Sequence, residues 1–425
     1  MSTAMNGKTR IDRLRDVLVS SLRSTHYARA FGDLDLVGSD EFEILSRLPI
    51  LDRTTAQSYG RAPVGGLVCV PAHSFVRAHH TSGSTGSGSL WVYDTQADWD
   101  AIVDGWERAL ALYEIGEHDR ALVCASYGRF IGFWGLHEAL IRRGVMTISG
   151  ADLDTVGRAD LIERLGVTVV AATPSYALVL GRETRTREHA VRLVLTSGES
   201  RPAATRRRLE ETWRSSTADT AGMTEIGTIS MVECPDQPGD LHVLDAVAIE
   251  EVLHAETREP VPDGELGVRV VTPLTRRGMP FIRYWTNDLV VAAEPRCRCG
   301  VGSKVYVGGI RGRLDDMVKI RGVWFLPTML DELVSTYREV GEYRSTLTTD
   351  ERGLAQLKIQ LELAGELHGT ELRDFESLFA AECKRALGFR PEVEVVESGA
   401  LPRPEGGKIK RFFRDDQMAQ AGMVA

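Results

Sequence analysis

The chain has 425 residues, 43% hydrophobic and 26% charged, and carries a formal net charge of −9. That length suits about two to four domains with a sizeable core, and the acidic balance excludes a nucleic-acid partner held by charge. No run of about 18 apolar residues occurs and Met1 to Arg10 is polar, so a cytoplasmic protein without a membrane-spanning helix is expected.

In chain order, Ile11, Leu14, Val17, Leu18 and Leu22 recur at helical spacing and predict an amphipathic helix over Arg10–Arg29. A Gly/Ser/Thr run follows at 81–86, then a helix from about Asp98 to Ile115. Short apolar strands at 121–125, 146–148, 167–172 and 191–195 alternate with helices, one ending near Arg143 and one covering Leu161 to Leu165. This rhythm predicts a largely parallel sheet covered on both faces. From Asp240 to Val291 the pattern changes to alternating strands with turns at Pro262-Asp263-Gly264 and Arg277-Gly278, which predicts an antiparallel sheet or distorted barrel. Beyond Asp315, helices near 329–338 and 371–387 and strands near 343–348, 357–363 and 393–396 form a small α+β unit. The expected fold class is α/β. A large N-terminal domain, 1–314, has mostly parallel sheets and a small β subdomain at about 230–310; a small mobile C-terminal α+β domain covers 315–425.

The run Thr81-Ser82-Gly83-Ser84-Thr85-Gly86 combines two glycines, whose backbone can close around phosphate oxygens, with four hydroxyl donors. Taken alone, such a run is more often a plain surface loop. A second basic loop, Gly406-Gly407-Lys408, lies more than three hundred residues downstream. Cys297-Arg298-Cys299, with Cys234 and His242 upstream, offers three thiols and an imidazole, a donor set for tetrahedral zinc; unpaired buried thiols are the competing reading. Cys69, Cys124 and Cys383 lie in apolar segments as ordinary core residues. Tyr127, Phe130, Phe133 and Trp134 put four aromatics in eight residues, with Phe130 and Trp134 spaced to share a helix face; such a cluster suits a flat aromatic ligand or a packed core.

Six motifs in order resemble the adenylate-forming acyl ligases, and most closely their phenylacetate–coenzyme A ligase branch. They are Thr81–Gly86, Thr173-Pro174-Ser175-Tyr176-Ala177, Ala221-Gly222-Met223-Thr224-Glu225, Arg283–Asp288, Gly312–Met317 and Pro402–Lys408, and together they span nearly the whole chain. The resemblance implies attack of a carboxylate on the α-phosphorus of ATP, release of pyrophosphate, and displacement of AMP by a thiol. It assigns Thr81, Ser82, Gly83, Ser84, Thr85 and Gly86 to the phosphates, and Thr224 to a phosphate oxygen. Glu225 goes to Mg²⁺, Ser197, Gly198, Glu199, Ala221, Gly222 and Met223 to the nucleotide, and Asp288 to the ribose. Arg313 goes to ribose or phosphate, and Asp315 to a hinge. Lys408 bridges the attacking carboxylate and α-phosphate. The acyl pocket falls to Tyr127, Phe130, Phe133 and Trp134 with Thr173, Pro174 and Tyr176. A structural Zn²⁺ falls to Cys234, His242, Cys297 and Cys299, since members of this branch carry such a cluster. For Asp288 the alternative is a salt bridge to Arg283.

Three positions depart from the family pattern. Ser87-Gly88 replaces the usual lysine and proline, Ala221 replaces an adenine-stacking tyrosine, and Asn287 stands where glycine or arginine is common. These departures suggest a specialised biosynthetic relative. The expected partners are a small carboxylic acid, an aromatic one by preference, and coenzyme A, with Lys319, Arg321 and Arg311 as candidate contacts; a homodimer is compatible with the sequence. The alternatives are a carrier-protein thiol or an amine as acceptor, and a non-catalytic nucleotide or acyl binder.

Overall fold

The structure, a computed structural model, describes residues 9–32, 34, 38, 40–59, 64–81, 90–125, 127–301, 304–350, 353–365, 370–401 and 409–415. The chain divides into two compact units, Met1–Gly198 with Leu209–Ile310, and Glu199–Arg208 with Arg311–Ala425.

The first unit opens on a helix, Arg10–Ser21, started by a capping box in which Thr9 and Asp12 satisfy each other's backbone N–H groups. Leu14, Val17 and Leu18 are buried from its inner face. The predicted helix to Arg29 is broken: the chain turns at 22–24, and Ser24 caps a second helix, Thr25–Phe31, by accepting from Tyr27 N. A serine able to bond a backbone N–H three residues on offers the chain that turn, and the hydrophobic spacing does not reveal it.

The large sheet carries the four predicted parallel strands and a fifth, Ser216–Ala221, that was not anticipated, in the spatial order Ser216–Ala221, Leu193–Ser197, Val169–Ala172, Arg120–Val123, Met146–Ser149. Side chains alternate across it. Ala121, Val123, Val169, Ala171, Leu193 and Leu195 pack on one face with Trp99, Trp106 and Leu136, whereas Leu122, Val170, Ala172 and Val194 pack on the other with Ala177, Leu180 and Trp213. Both faces are dry, as continuous apolar strands require. The helix Gln96–Leu112 on the first face begins with another capping box, Thr95 and Asp98. Asp98 also accepts from the N–H groups of Arg277 (2.6 Å) and Gly278 (3.2 Å), which fixes the predicted turn there.

The antiparallel strands predicted after Asp240 are present, but hydrogen bonding joins them to the parallel ones. From Ser216–Ala221 the sheet continues through Met231–Glu233, Leu241–Val243, Val305–Tyr306, Tyr284–Ala293, Leu266–Pro273 and Ala248–Leu253. A separate two-stranded hairpin pairs Phe75–His80 with Trp91–Thr95, the strands that precede and follow residues 81–90 in the chain.

In the second unit a four-stranded sheet runs in the order Glu392–Val396, Ala355–Leu363, Val340–Thr349, Phe412–Arg414. The helices Pro327–Ser335 and Thr370–Leu387 contribute Leu330, Leu333, Phe379 and Cys383 to its core. Its helices and longer strands match the sequence expectation; the small hairpin Val318–Ile320 with Val323–Phe325 and the last short strand were not anticipated. No helix among the described residues is long and apolar enough to cross a membrane.

Candidate active site

Several of the predicted site residues of the first unit lie at the C-terminal ends of its parallel strands, where ligands bind in open α/β sheets. Tyr127 follows Arg120–Val123, Thr173 follows Val169–Ala172, Ser197 and Gly198 end Leu193–Ser197, and Ala221 ends Ser216–Ala221. Gly198 leaves its strand at φ 91°, which favours glycine. The Ser197 hydroxyl donates to Thr220 O at 3.0 Å and ties the two neighbouring strand ends together.

Of the phosphate run, Ser82, Gly83, Ser84, Thr85 and Gly86 lie outside the described residues, and Thr81 lies at the loop's base. Thr81 N donates to Leu90 O (2.9 Å), and Leu90 N donates to the buried Thr81 hydroxyl (3.1 Å). This hydroxyl therefore closes the hairpin. His80 N donates to Arg129 O at 3.0 Å, which sets the aromatic segment beside the hairpin.

Residues 222–228 form a loop with no room to move. A Cβ on Gly222 would stand 2.2 Å from Thr228 O, Gly227 takes φ 94°, and Thr228 itself takes φ 77°. Positive φ costs a β-branched residue energy, so other contacts must hold it. Thr228 N donates to Met223 O (3.0 Å), and the Thr228 hydroxyl accepts from Trp106 Nε1 at 2.7 Å. Thr224 and Glu225 occupy the single helical turn inside this loop and are 4% and 3% exposed. The Glu225 carboxylate accepts from the Tyr284 hydroxyl at 3.1 Å. Behind the turn, Arg276 Nη1 donates to the carbonyls of Thr224 (2.8 Å) and Glu225 (2.6 Å).

Asp288 owes its position to a bulge. Val268 pairs with Leu289 and Val270 with Trp285, so Arg269 alone faces Thr286, Asn287 and Asp288. Asn287 sits at φ 65° within it, which explains a residue type found at a position where glycine is common. The Thr286 hydroxyl donates to Arg269 O (2.9 Å) and accepts from Asp288 N (3.0 Å).

The alternative partner for Asp288 is overturned. Arg283 makes a two-pronged pair with Glu251 (2.8 and 3.0 Å) and donates to Leu48 O, whereas Asp288 Oδ2 lies 3.4 Å from Arg269 Nη1. Arg269 has no exposed side-chain surface. It donates twice to Glu250 (2.6 and 2.7 Å) and once to Ser230 Oγ (2.6 Å), and Tyr306 donates to Glu250 at 2.7 Å. Burial opposes the Arg269 charge, but Glu250 and Asp288 outweigh it and raise its pKa above the ordinary arginine value.

The aromatic set is only partly assembled. The helix begins at Trp134 with Phe133 at its cap, so Phe130, 39% exposed, does not share a helical face with Trp134 as its spacing suggested. Tyr127 meets Trp134 edge-on at 5.0 Å, and its hydroxyl shares a 2.7 Å hydrogen bond with His137 Nδ1. Tyr176 packs on the opposite face of the sheet, under Arg158 at 4.8 Å. Thr173 and Pro174 act in that structure as the cap and first residue of the helix Pro174–Thr184.

Cys234, His242, Cys297 and Cys299 place four donor atoms within 4.8 Å of one another. Their separations are 3.8 Å for Cys234–Cys299, 3.1 Å for Cys297–Cys299, 3.2 Å for Cys297–His242 Nε2 and 3.1 Å for Cys299–His242 Nε2. Sulfurs about 2.3 Å from a shared tetrahedral ion stand about 3.8 Å apart, so the donor set fits zinc with a small outward adjustment. The loops that carry it are tied down: Glu233 accepts from Gly239 N (2.6 Å), Asp236 from Arg298 N (3.1 Å) and Asp240 from Gly308 N (2.8 Å).

In the second unit Arg313 grips Asp315 with two donors (2.9 and 3.0 Å), and Arg414 donates to Asp315 O at 3.1 Å. Glu199 accepts from Ile409 N at 3.2 Å. Lys408 lies outside the described residues.

Sequence reasoning missed Arg269, Glu250, Arg276, Asp94 and Tyr306. The available signal was a charge inside a dry strand, as in Val268-Arg269-Val270-Val271, since a buried arginine demands acidic partners.

Comparison with known proteins agrees with this architecture. The AMP-binding enzyme family model matches residues 44–272, and the model of the AMP-binding enzyme C-terminal domain matches 322–416. The phenylacetate-coenzyme A ligase of Thermus thermophilus is 30% identical over 401 residues, covering 89% of each chain. Its Escherichia coli namesake is 28% identical over 398 residues, covering 91% of this chain and 89% of its own. Among solved structures, 2-hydroxyisobutyryl-CoA ligase in the postadenylation state superposes with a TM-score of 0.87 at 24% identity, over 99% of this chain and 92% of that one. An anthranilate CoA ligase with bound anthranoyl-AMP gives 0.65 at 19% identity, over 82% and 66%. With the first family model covering more than half of its length, and that length shared with the Thermus ligase at 30% identity, this chain belongs to the AMP-binding enzyme family.

Proposed function

We infer that the chain is an AMP-forming acid–coenzyme A ligase acting on an aromatic carboxylic acid. The observation that carries this reading is the 30% identity over nearly the whole chain to a phenylacetate–coenzyme A ligase. The buried Thr224–Glu225 turn and the aromatic Tyr127–Trp134 pair support it.

In the first half-reaction an oxygen of the substrate carboxylate bonds to the α-phosphorus of ATP and the bond to pyrophosphate breaks. In the second, the coenzyme A sulfur, having lost its proton, bonds to the acyl carbon and AMP leaves. Bringing two anions together requires fixed donors and positive charge. The 81–86 loop and Thr224 supply donors to the phosphates, Asp288 holds ribose hydroxyls, and Lys408 supplies the cation at the reacting oxygens. Glu225 would hold Mg²⁺, a hard cation suited to a carboxylate and phosphate oxygens, which neutralises phosphate charge. Acid-dependent ATP–pyrophosphate exchange across aromatic and short aliphatic acids is expected to select an aromatic acid, and coenzyme A is expected to convert that exchange into thioester formation. Exchange with no acid would sink the reading. Exchange without a coenzyme A thioester would move the acceptor to a carrier thiol or an amine.

The Cys234, His242, Cys297 and Cys299 cluster would hold a structural zinc with all four positions filled by protein, stapling together the loops that carry them. Protein purified without a histidine tag is expected to contain about one zinc per chain. Cys297→Ser is expected to lower that content and the melting temperature together; unchanged zinc would remove Cys297 from the ligand set.

A further inference from the structure

We propose that Arg276 is a positioning residue for the adenylation half-reaction, locking the Thr224–Glu225 turn to the hairpin that carries the phosphate loop. The inference rests on the reading of Thr224 and Glu225 given above.

Arg276 has no exposed side-chain surface, and neither does its partner Asp94. Its Nε donates to Asp94 Oδ1 at 2.8 Å, and Asp94 lies on Trp91–Thr95, the outgoing arm of the hairpin around residues 81–90. Its Nη1 donates to the carbonyls of Thr224 and Glu225 at 2.8 and 2.6 Å. A single guanidinium thus joins a hairpin strand that lies 182 residues before it to a turn that lies 51 and 52 residues before it.

A one-turn helix leaves its carbonyls short of partners. Here Thr224 O receives only a long 3.4 Å bond from Gly227 N besides Arg276, among the described contacts. A cation behind those carbonyls orients both peptide units, which sends the Thr224 and Glu225 side chains to fixed positions. The same cation is fixed by Asp94, so the turn cannot shift without moving the phosphate-loop hairpin. Lysine cannot reproduce this: a planar fork reaches one carboxylate and two carbonyls at once, whereas an ammonium is a single point of charge. Glu225 also bonds Tyr284, on the strand that contains the Asp288 bulge, so Arg276 fixes the one side of the turn that Tyr284 does not.

Arg276→Lys is expected to lower the maximal rate of acid-dependent pyrophosphate exchange about 100-fold, the scale of a misplacement of about 1 Å. It should also raise the Mg²⁺ concentration for half-maximal rate several-fold, with KM for the acid within about twofold of wild type and thiolysis of supplied acyl-adenylate retained. Asp94→Asn keeps the bonds to the two carbonyls but removes the charged anchor. It should shift the Mg²⁺ response in the same direction by a smaller factor, and it carries the test if Arg276→Lys does not fold. A folded variant of either kind with wild-type exchange and Mg²⁺ response overturns the proposal, as does equal loss in both half-reactions. Thr224→Ala and Glu225→Gln separate the two levels. If they leave exchange and Mg²⁺ response untouched, the reading of the turn falls; if they impair both while Arg276→Lys and Asp94→Asn do not, only the role of Arg276 falls.

Discussion

Lys408→Ala is expected to reduce acid-dependent ATP–pyrophosphate exchange by about 10²–10³-fold, the loss typical of removing a principal charge-stabilising donor. Attack of a carboxylate on the α-phosphate concentrates negative charge on oxygens that are less crowded with charge in the separated reactants. A cation placed there acts mainly in the transition state, so the maximal rate should fall more than KM rises. Thiolysis involves neither that phosphorus nor that developing charge and should survive within a few-fold when acyl-adenylate is supplied. Two features show that the chain after Lys408 is anchored. Ile409 N donates to Glu199, and Arg411 is held through its carbonyl by Ser345 N (2.7 Å) and through its guanidinium by Glu342 (2.6 and 3.0 Å). Parallel loss of exchange and thiolysis would remove this role from Lys408.

Arg269→Met is expected to give the largest loss of stability, about 3–5 kcal/mol, because it leaves buried carboxylates without their cation. Glu250 and Asp288 both face the fully buried guanidinium, and Glu250 has no other cation among the described contacts, only the hydroxyl of Tyr306. Urea unfolding would show the loss as a lower midpoint at unchanged slope. Adding Glu250→Gln to Arg269→Met should recover part of it, since the second change removes the stranded charge. An Arg269→Met variant as stable as wild type would refute this role of Arg269. The nucleotide site should register the change too. With its 3.4 Å partner gone, Asp288 loses one constraint on its orientation, and KM for ATP should rise more than KM for the acid.

Much of the architecture was open to reading because it rests on local, periodic preferences. Alternating short apolar strands and amphipathic helices announced a covered parallel sheet. The motifs were legible for a related reason: backbone conformations such as those of Gly198, Gly222 and Gly227 admit few residue types, so the loop leaves its mark in composition. The four candidate metal ligands were legible because few side chains carry suitable donors, and the structure brings all four together.

Other features escaped for reasons of geometry. Phe130 and Trp134 are four apart, yet the helix starts at Trp134, because spacing says nothing about where a helix begins. Tyr176 and Tyr127 share a strand-end location but pack on opposite sheet faces, and a face is set by register. Asp288 was offered Arg283, five residues away along the chain, and took Arg269, which a bulge puts across the ladder from it.

The sequence by itself determined the kinds of elements, the family and the chemical types at the site, since each depends on residues close together along the chain. Only the tertiary structure decided which charge neutralises which. Arg269 with Glu250 and Asp288, Arg276 with Asp94, and Arg283 with Glu251 are pairings made by packing. Several arginines and acids in this chain could pair equally well by charge; burial selects among them, because a charge withdrawn from water must meet its partner within hydrogen-bonding distance.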